Sequence, residues 1–293
     1  MNSTLRAAKL QMIGALCLWG TISLFVRNIS LGSGMIALAR GVLGVSFLLA
    51  LLAIRRRRPD GQAIRRNLPL LLLSGCAIGL NWALLFEAYR YTSVATATLC
   101  YYMQPIFLTL AAPFALGERL SGRKLCCVLA AFCGMILISG VVGGALPQSR
   151  ELRGIALGLG AAVLYTCVII CNKKLCQISA YDKTIMQLLA AAAVMIPYCA
   201  LCGERVTAAC FAPGSLICLL ILGFLHTGAA YALYFESMRQ LRAQTIAVLS
   251  YIDPCLAIVV SVAVLHEPFS FFSAAGAVLI LGAALVSELP QRE

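Results

Sequence analysis

Apolar residues fill this chain in long blocks, broken only by short polar or charged interruptions. The blocks fall at roughly 10–27, 33–54, 68–90, 95–116, 123–144, 152–174, 181–202, 213–238, 243–265 and 270–287. Each is long enough to cross a hydrocarbon core of about 30 Å as a helix. Lipid offers the backbone no hydrogen-bond partner, so only helices or closed barrels span it. These blocks lack the residue-by-residue alternation of a barrel strand. The pattern therefore predicts an all-α membrane protein with ten transmembrane helices, and its loops are too short to hold a soluble domain.

Composition agrees with the pattern. Of 293 residues, 61% are hydrophobic and 12% charged, and mean hydropathy is +0.93, whereas soluble domains carry about 25% charged residues. The net charge of +12 follows topology. With both termini in the cytoplasm, most Lys and Arg fall in cytoplasmic segments, anchored by Arg55 to Arg58, Arg65, Arg66, Lys173 and Lys174; the opposite orientation inverts the bias. The basic run is short, squeezed between two apolar blocks and free of aromatic interleaving, which disfavours nucleic acid as a partner. Contact with anionic lipid suits it better. The expected setting is the plasma membrane, crossed many times, with the protein a monomer or homodimer.

The chain also repeats itself. Leu84 to Glu118 recurs as Leu233 to Glu267 without a gap, and nine positions are identical. They include Phe86-Glu87 with Phe235-Glu236, Arg90 with Arg239, Thr96 with Thr245, Tyr102 and Pro105 with Tyr251 and Pro254, and Glu118 with Glu267. Trp19 corresponds more weakly to Tyr165, and Arg40 to Gln187. Five spans separate equivalent residues. Because five is odd, the second copy crosses the membrane in the opposite sense, which predicts two inverted five-helix repeats, 1–146 and 147–293. Gly140-x-x-x-Gly144 and Gly154-x-x-x-Gly158 flank the boundary, a spacing that lets membrane helices approach closely. Inverted repeats mark folds in which one bundle rocks against the other around a central site.

Each repeat carries Ala-x-x-Tyr/Phe-Thr-Ser-x-x-Thr-Ala or a variant of it, then a Pro, then a Leu-Gly-Glu-Arg-like close. In the first half these are Ala88 to Thr98, Pro105, Leu116 to Leu120 and Gly134; in the second, Arg239 to Ala247, Pro254, Leu265 to Pro268, Gly276 and Gly282. With ten spans in two inverted repeats, the chain resembles the EamA family of the drug/metabolite transporter superfamily. One departure is His266, where the family has Gly. The resemblance implies a transporter without ATP, a cavity lined by the first four spans of each half, and bracing by the fifth and tenth. It leaves the substrate open among amino acids, amines, nucleobase derivatives and drugs.

Ionisable groups at membrane depth cost about 3 kcal/mol each on insertion scales, so each needs a partner or a task. Asp253 precedes Pro254 near the middle of its block, and its repeat mate is Gln104. It is a candidate for proton coupling or for meeting a cationic substrate; the alternative is a structural bond beside the proline kink. His226 is a second proton-coupling candidate, set against a neutral histidine bonded to a neighbouring helix. Arg40 is either a substrate-carboxylate contact or one half of a static pair. Glu87 and Glu236 lie at helix ends, within one turn of Arg90 and Arg239, a spacing that favours structural pairing. Trp19, Asn81, Trp82, Tyr101, Tyr102, Gln104, Tyr165, Gln187, Tyr231, Tyr234 and Tyr251 complete the polar and aromatic set from which a cavity could be built. Aromatic walls with a carboxylate suit an amine through cation–π attraction.

These residues point to a secondary active transporter that exports a small amphipathic metabolite, an amino acid or amine, by alternating access, coupled to protons or to exchange, with no cofactor. A non-transporting receptor or scaffold is the main alternative. An intramembrane enzyme is disfavoured because neither His-Glu-x-x-His nor Gly-x-Ser-x-Gly is present. Thirteen of the fourteen Cys lie in the apolar blocks or at their edges, where a thiol acts as a small apolar group; Cys199-x-x-Cys202 lacks a second pair or His for a metal.

Overall fold

A computed structural model describes residues 2–117, 121–138, 148–205, 208–238, 240–241, 245–246 and 249–288. Glu118, Arg239, Gly140, Gly144 and the expected boundary between 146 and 147 lie outside the described residues. Among the described residues there is no strand, and seven helices are long and apolar enough to cross a membrane: Thr4–Arg27, Ser33–Ile54, Gly61–Tyr91, Val94–Ala115, Ser149–Lys174, Ala180–Leu201 and Pro213–Met238. The other three apolar blocks hold the shorter helices Gly122–Ile138, Ile252–Val264 and Phe271–Glu288.

Several of these helices are interrupted. The first consists of α1 (Asn2–Gly20) and α2 (Ile22–Arg27), parted at Thr21. After α3 (Ser33–Ile54) and α4 (Gly61–Tyr91), the next block is divided into α5 (Val94–Tyr101) and α6 (Gln104–Ala115). Pro105 sits in the first turn of α6, where its missing N–H has no intrahelical partner to lose. Then come α7 (Gly122–Ile138), α8 (Ser149–Lys174) and α9 (Ala180–Leu201). Next, α10 (Pro213–Leu220) widens into a π-helix over Ile221–Ala229 before α11 (Ala230–Met238). The chain closes with α12 (Ile252–Val259), its π-helical end Val260–Val264, and α13 (Phe271–Glu288). Pro254 repeats in α12 the first-turn position of Pro105 in α6.

Packing follows an exchange of the two halves. α4 lies on α8 as α1 lies on α11, α4 on α9 as α3 on the π-helix, and α5 on α8 as α12 on α1. Three further contacts join a helix to its own counterpart: α3 with α9, α5 with α12, and α7 with α13. Contacts join α11, α1, α12, α5, α8 and α4 in succession, and α7 packs on α13. Close approach of α1 to α12 depends on Gly20. A Cβ there would come within 2.8 Å of the Asp253 carbonyl oxygen and 2.9 Å of the Leu256 Cβ, so only glycine lets α1 cross α12.

Candidate functional site

The break between α5 and α6 meets the start of α12. The Tyr102 hydroxyl donates to Asp253 Oδ2 at 2.9 Å, and the Tyr102 and Tyr251 rings, repeat mates, lie 6.4 Å apart. Asp253 stands in the first turn of α12, where the unpaired N–H groups of a helix start favour negative charge. This backbone arrangement explains how a carboxylate is held at such depth.

Half-buried aromatic rings surround the pair. Tyr101 packs edge-on to Tyr102 at 5.8 Å and lies 5.6 Å from Tyr165 on α8. Trp19 on α1 meets Tyr231 at 5.3 Å and Tyr234 at 5.0 Å on α11, and Tyr231 stacks on Phe235 at 5.7 Å. Trp19, Tyr101, Tyr102, Tyr165, Tyr231, Tyr234, Tyr251 and Asp253 all keep partial exposure. Gln104 is also half-buried, and its carbonyl accepts from the Thr166 hydroxyl at 3.3 Å.

Arg40 lies beside this group on α3 and is only 4% exposed. Its Nε donates to Thr227 Oγ1 at 2.7 Å, and its guanidinium carbon sits 4.1 Å from the Trp82 ring centroid and 5.8 Å from that of Phe86. Thr227 donates its own hydroxyl to the Leu222 carbonyl, five residues back, at 3.0 Å, and is therefore free to accept from Arg40. That carbonyl is within reach because the π-helix widens the turn. Among the described residues no carboxylate forms an ion pair with Arg40; Asp253, Tyr231, Tyr101 and Tyr89 lie within electrostatic range of it.

The remaining candidates are tied into the framework. His226 is 1% exposed, contacting Thr21 Oγ1 through Nε2 at 3.1 Å and the Ile221 carbonyl through Nδ1 at 3.3 Å. Nδ1 donates to the Ile221 carbonyl, and the single Thr21 hydroxyl hydrogen is shared between the Leu18 carbonyl at 2.8 Å and Nε2. The Trp19 indole donates to the His226 carbonyl at 3.0 Å. Asn81 donates to the Ala161 carbonyl at 2.6 Å, joining α4 to α8. Gln187 donates to Ser74 Oγ and Asn172 Oδ1, each at 2.7 Å, joining α9 to α4 and α8. Asn81 and Gln187 thus hold helices together. Glu87 accepts from the Ser33 hydroxyl at 2.6 Å and pairs with Arg90 at 3.7 Å, whereas Glu236 pairs with Arg55 at 3.2 Å.

Sequence reasoning passed over Thr21 and Thr227, the hydroxyls that fix His226 and Arg40. Single threonines inside apolar helices carry no periodic signal. It also passed over the bond between Tyr102 and Asp253, although both residues were candidates, because it depends on how two helices cross.

The architecture recurs in known proteins. One solved crystal structure superposes with a TM-score of 0.66 at 20% identity, covering 97% of this chain and 96% of that one; this likeness concerns the fold alone. An uncharacterized transporter of Bacillus subtilis (strain 168) is 26% identical, covering 86% of this chain and 80% of its own length. A probable amino-acid metabolite efflux pump of Salmonella typhimurium is 27% identical, covering 76% of this chain and 78% of its own. The model of the EamA-like transporter family matches twice, over residues 7–140 and 152–288. Two matches that together span nearly the whole sequence, on an all-helical framework whose halves exchange, place this chain in the EamA-like transporter family.

Proposed function

We propose that this protein is a secondary active transporter that exports a small amphipathic metabolite, an amino acid or amine, across the plasma membrane by alternating access. Its ten transmembrane helices form two inverted five-helix repeats, 1–146 and 147–293, with both termini in the cytoplasm. The observation that carries this reading is the bond between Tyr102 of the first half and Asp253 of the second, made where two interrupted helices cross. A site built from both halves changes its access when one half rocks against the other. Asp253 is the group that takes up the proton or the cationic end of the substrate, while His226, with both ring nitrogens engaged, steadies α1 against the π-helix. The name of the Salmonella relative supports an amino-acid-sized cargo.

Counterflow in proteoliposomes tests this. Vesicles loaded with an unlabelled amino acid or amine should accumulate the labelled compound, and Asp253→Asn should remove the effect of an imposed pH gradient. No counterflow across a panel of amino acids and amines, with correctly inserted protein, would refute the reading.

A further inference from the structure

We infer that Arg40 is the carboxylate-binding residue of the cavity, so that the cargo is an acid or a zwitterion and an amine alone does not suffice; this rests on the transporter reading.

A guanidinium has five N–H donors. Arg40 uses Nε on Thr227. Its four Nη hydrogens have no hydrogen-bond partner among the described residues, although the side chain is almost wholly buried. Buried charge is ordinarily paired, because leaving water without a compensating partner is costly. Aromatic faces give Arg40 a partial substitute: its guanidinium carbon lies over the Trp82 ring, 4.1 Å from the centroid, with the Phe86 ring at 5.8 Å. A ring face takes up no Nη donor in a conventional hydrogen bond, and the Nη fork matches the two oxygens of a carboxylate. The Nε bond to Thr227 and the contact with Trp82 hold the guanidinium in place in advance, so little orientation is lost on binding. Asp253 lies within electrostatic range without forming an ion pair with Arg40. A zwitterion can therefore set its carboxylate on Arg40 and its ammonium toward Asp253 and the rings around it, neutralising both charges at once.

The two tryptophans of the chain, Trp19 and Trp82, make the site directly readable. In a Trp19→Phe variant, which keeps an aromatic ring against Tyr231 and Tyr234, Trp82 is the sole indole and lies against Arg40. Its emission should respond saturably to acetate or butyrate and to an L-amino acid. Chloride at equal ionic strength should not reproduce the change, and acetamide or the amino-acid amide should bind about tenfold more weakly, the equivalent of about 1.4 kcal/mol. Adding Arg40→Gln should abolish the carboxylate response, and Arg40→Lys, which keeps charge but loses the planar fork, should weaken it. If Arg40→Gln does not fold, the Arg40→Lys variant and the acid-to-amide ratio of the parent carry the test. Equal responses to acids and amides, or no saturable response in folded protein, would overturn the assignment. Counterflow is measured separately: saturable fluorescence without flux refutes transport and leaves the carboxylate site standing, whereas flux of amines without any Trp82 response does the reverse.

Discussion

Arg27 of the first half is ion-paired with Glu267 of the second. Glu267 also accepts from the Val94 backbone N–H at 2.8 Å and from the Ser261 hydroxyl at 2.5 Å, and Ser261 in turn accepts from the Ala95 N–H at 3.2 Å. Arg27 completes the cluster by donating to the Tyr89 carbonyl at 3.0 Å. One carboxylate thus caps the start of α5 and links the ends of α2, α4 and α12. In the proposed orientation this cluster lies at the outer ends of these helices.

Side-chain burial distinguishes this pair from Arg55–Glu236. Glu267 is 10% exposed and Arg27 31%, against 33% for Glu236 and 42% for Arg55. Double-mutant cycles to alanine, read by unfolding in detergent, should give a coupling of about 1–3 kcal/mol for Arg27–Glu267. For Arg55–Glu236 the coupling should stay below about 1 kcal/mol. Equal coupling in the two cycles would remove the claim that burial strengthens the Arg27–Glu267 pair.

Removing the Tyr102 hydroxyl should separate positioning from charge. Tyr102→Phe keeps the ring contacts with Tyr101 and Tyr251 but loses the bond to Asp253. Transport should fall while its pH dependence survives in shifted form, whereas Asp253→Asn should flatten the pH profile altogether. Identical pH profiles for wild type and Asp253→Asn in vesicle assays would exclude Asp253 as the protonated group.

Trp19 makes two ring contacts with α11. Trp19→Ala should weaken substrate binding about tenfold, or about 1.4 kcal/mol, as loss of a desolvated cation–π partner predicts. Unchanged affinity in equilibrium titration would make Trp19 a packing residue.

Gly20→Val should destabilise the fold by about 1–3 kcal/mol, because the added atoms drive α1 away from Asp253 and Leu256. Gly14→Ala is the matched control, since nothing lies within 4 Å of a Cβ there. Thermal unfolding of both variants decides the point; similar melting temperatures would mean that α1 and α12 do not cross tightly.

Single cysteines at Gln62 and Gln148, both exposed, report orientation in a cysteine-free variant. An impermeant thiol reagent should label Gln148→Cys from outside intact cells and reach Gln62→Cys only after permeabilisation. Labelling of both from one side would end the inverted-repeat topology.

The sequence by itself determined the membrane setting, the helical class and the internal repeat. Hydrophobic runs and repeated Phe-Glu, Tyr-x-x-Pro and Leu-x-Glu positions are written along one dimension and need no partner to be read. Pro254 was legible as a kink, because ring geometry acts locally, but that α6 and α12 begin within two residues of Pro105 and Pro254 came from the structure. Tertiary structure alone decided which polar residues meet one another. Asn81 and Tyr102 are equally polar in sequence, yet one pins α4 to α8 and the other reaches Asp253, 151 residues away. The π-helix at Ile221–Ala229 left no signature in the periodicity either, since a widened turn is a matter of backbone registry. Arg40 finds Thr227 across 187 residues because α3 packs on that π-helix, and which helices cross is fixed by side-chain packing over the whole bundle, which no local pattern encodes.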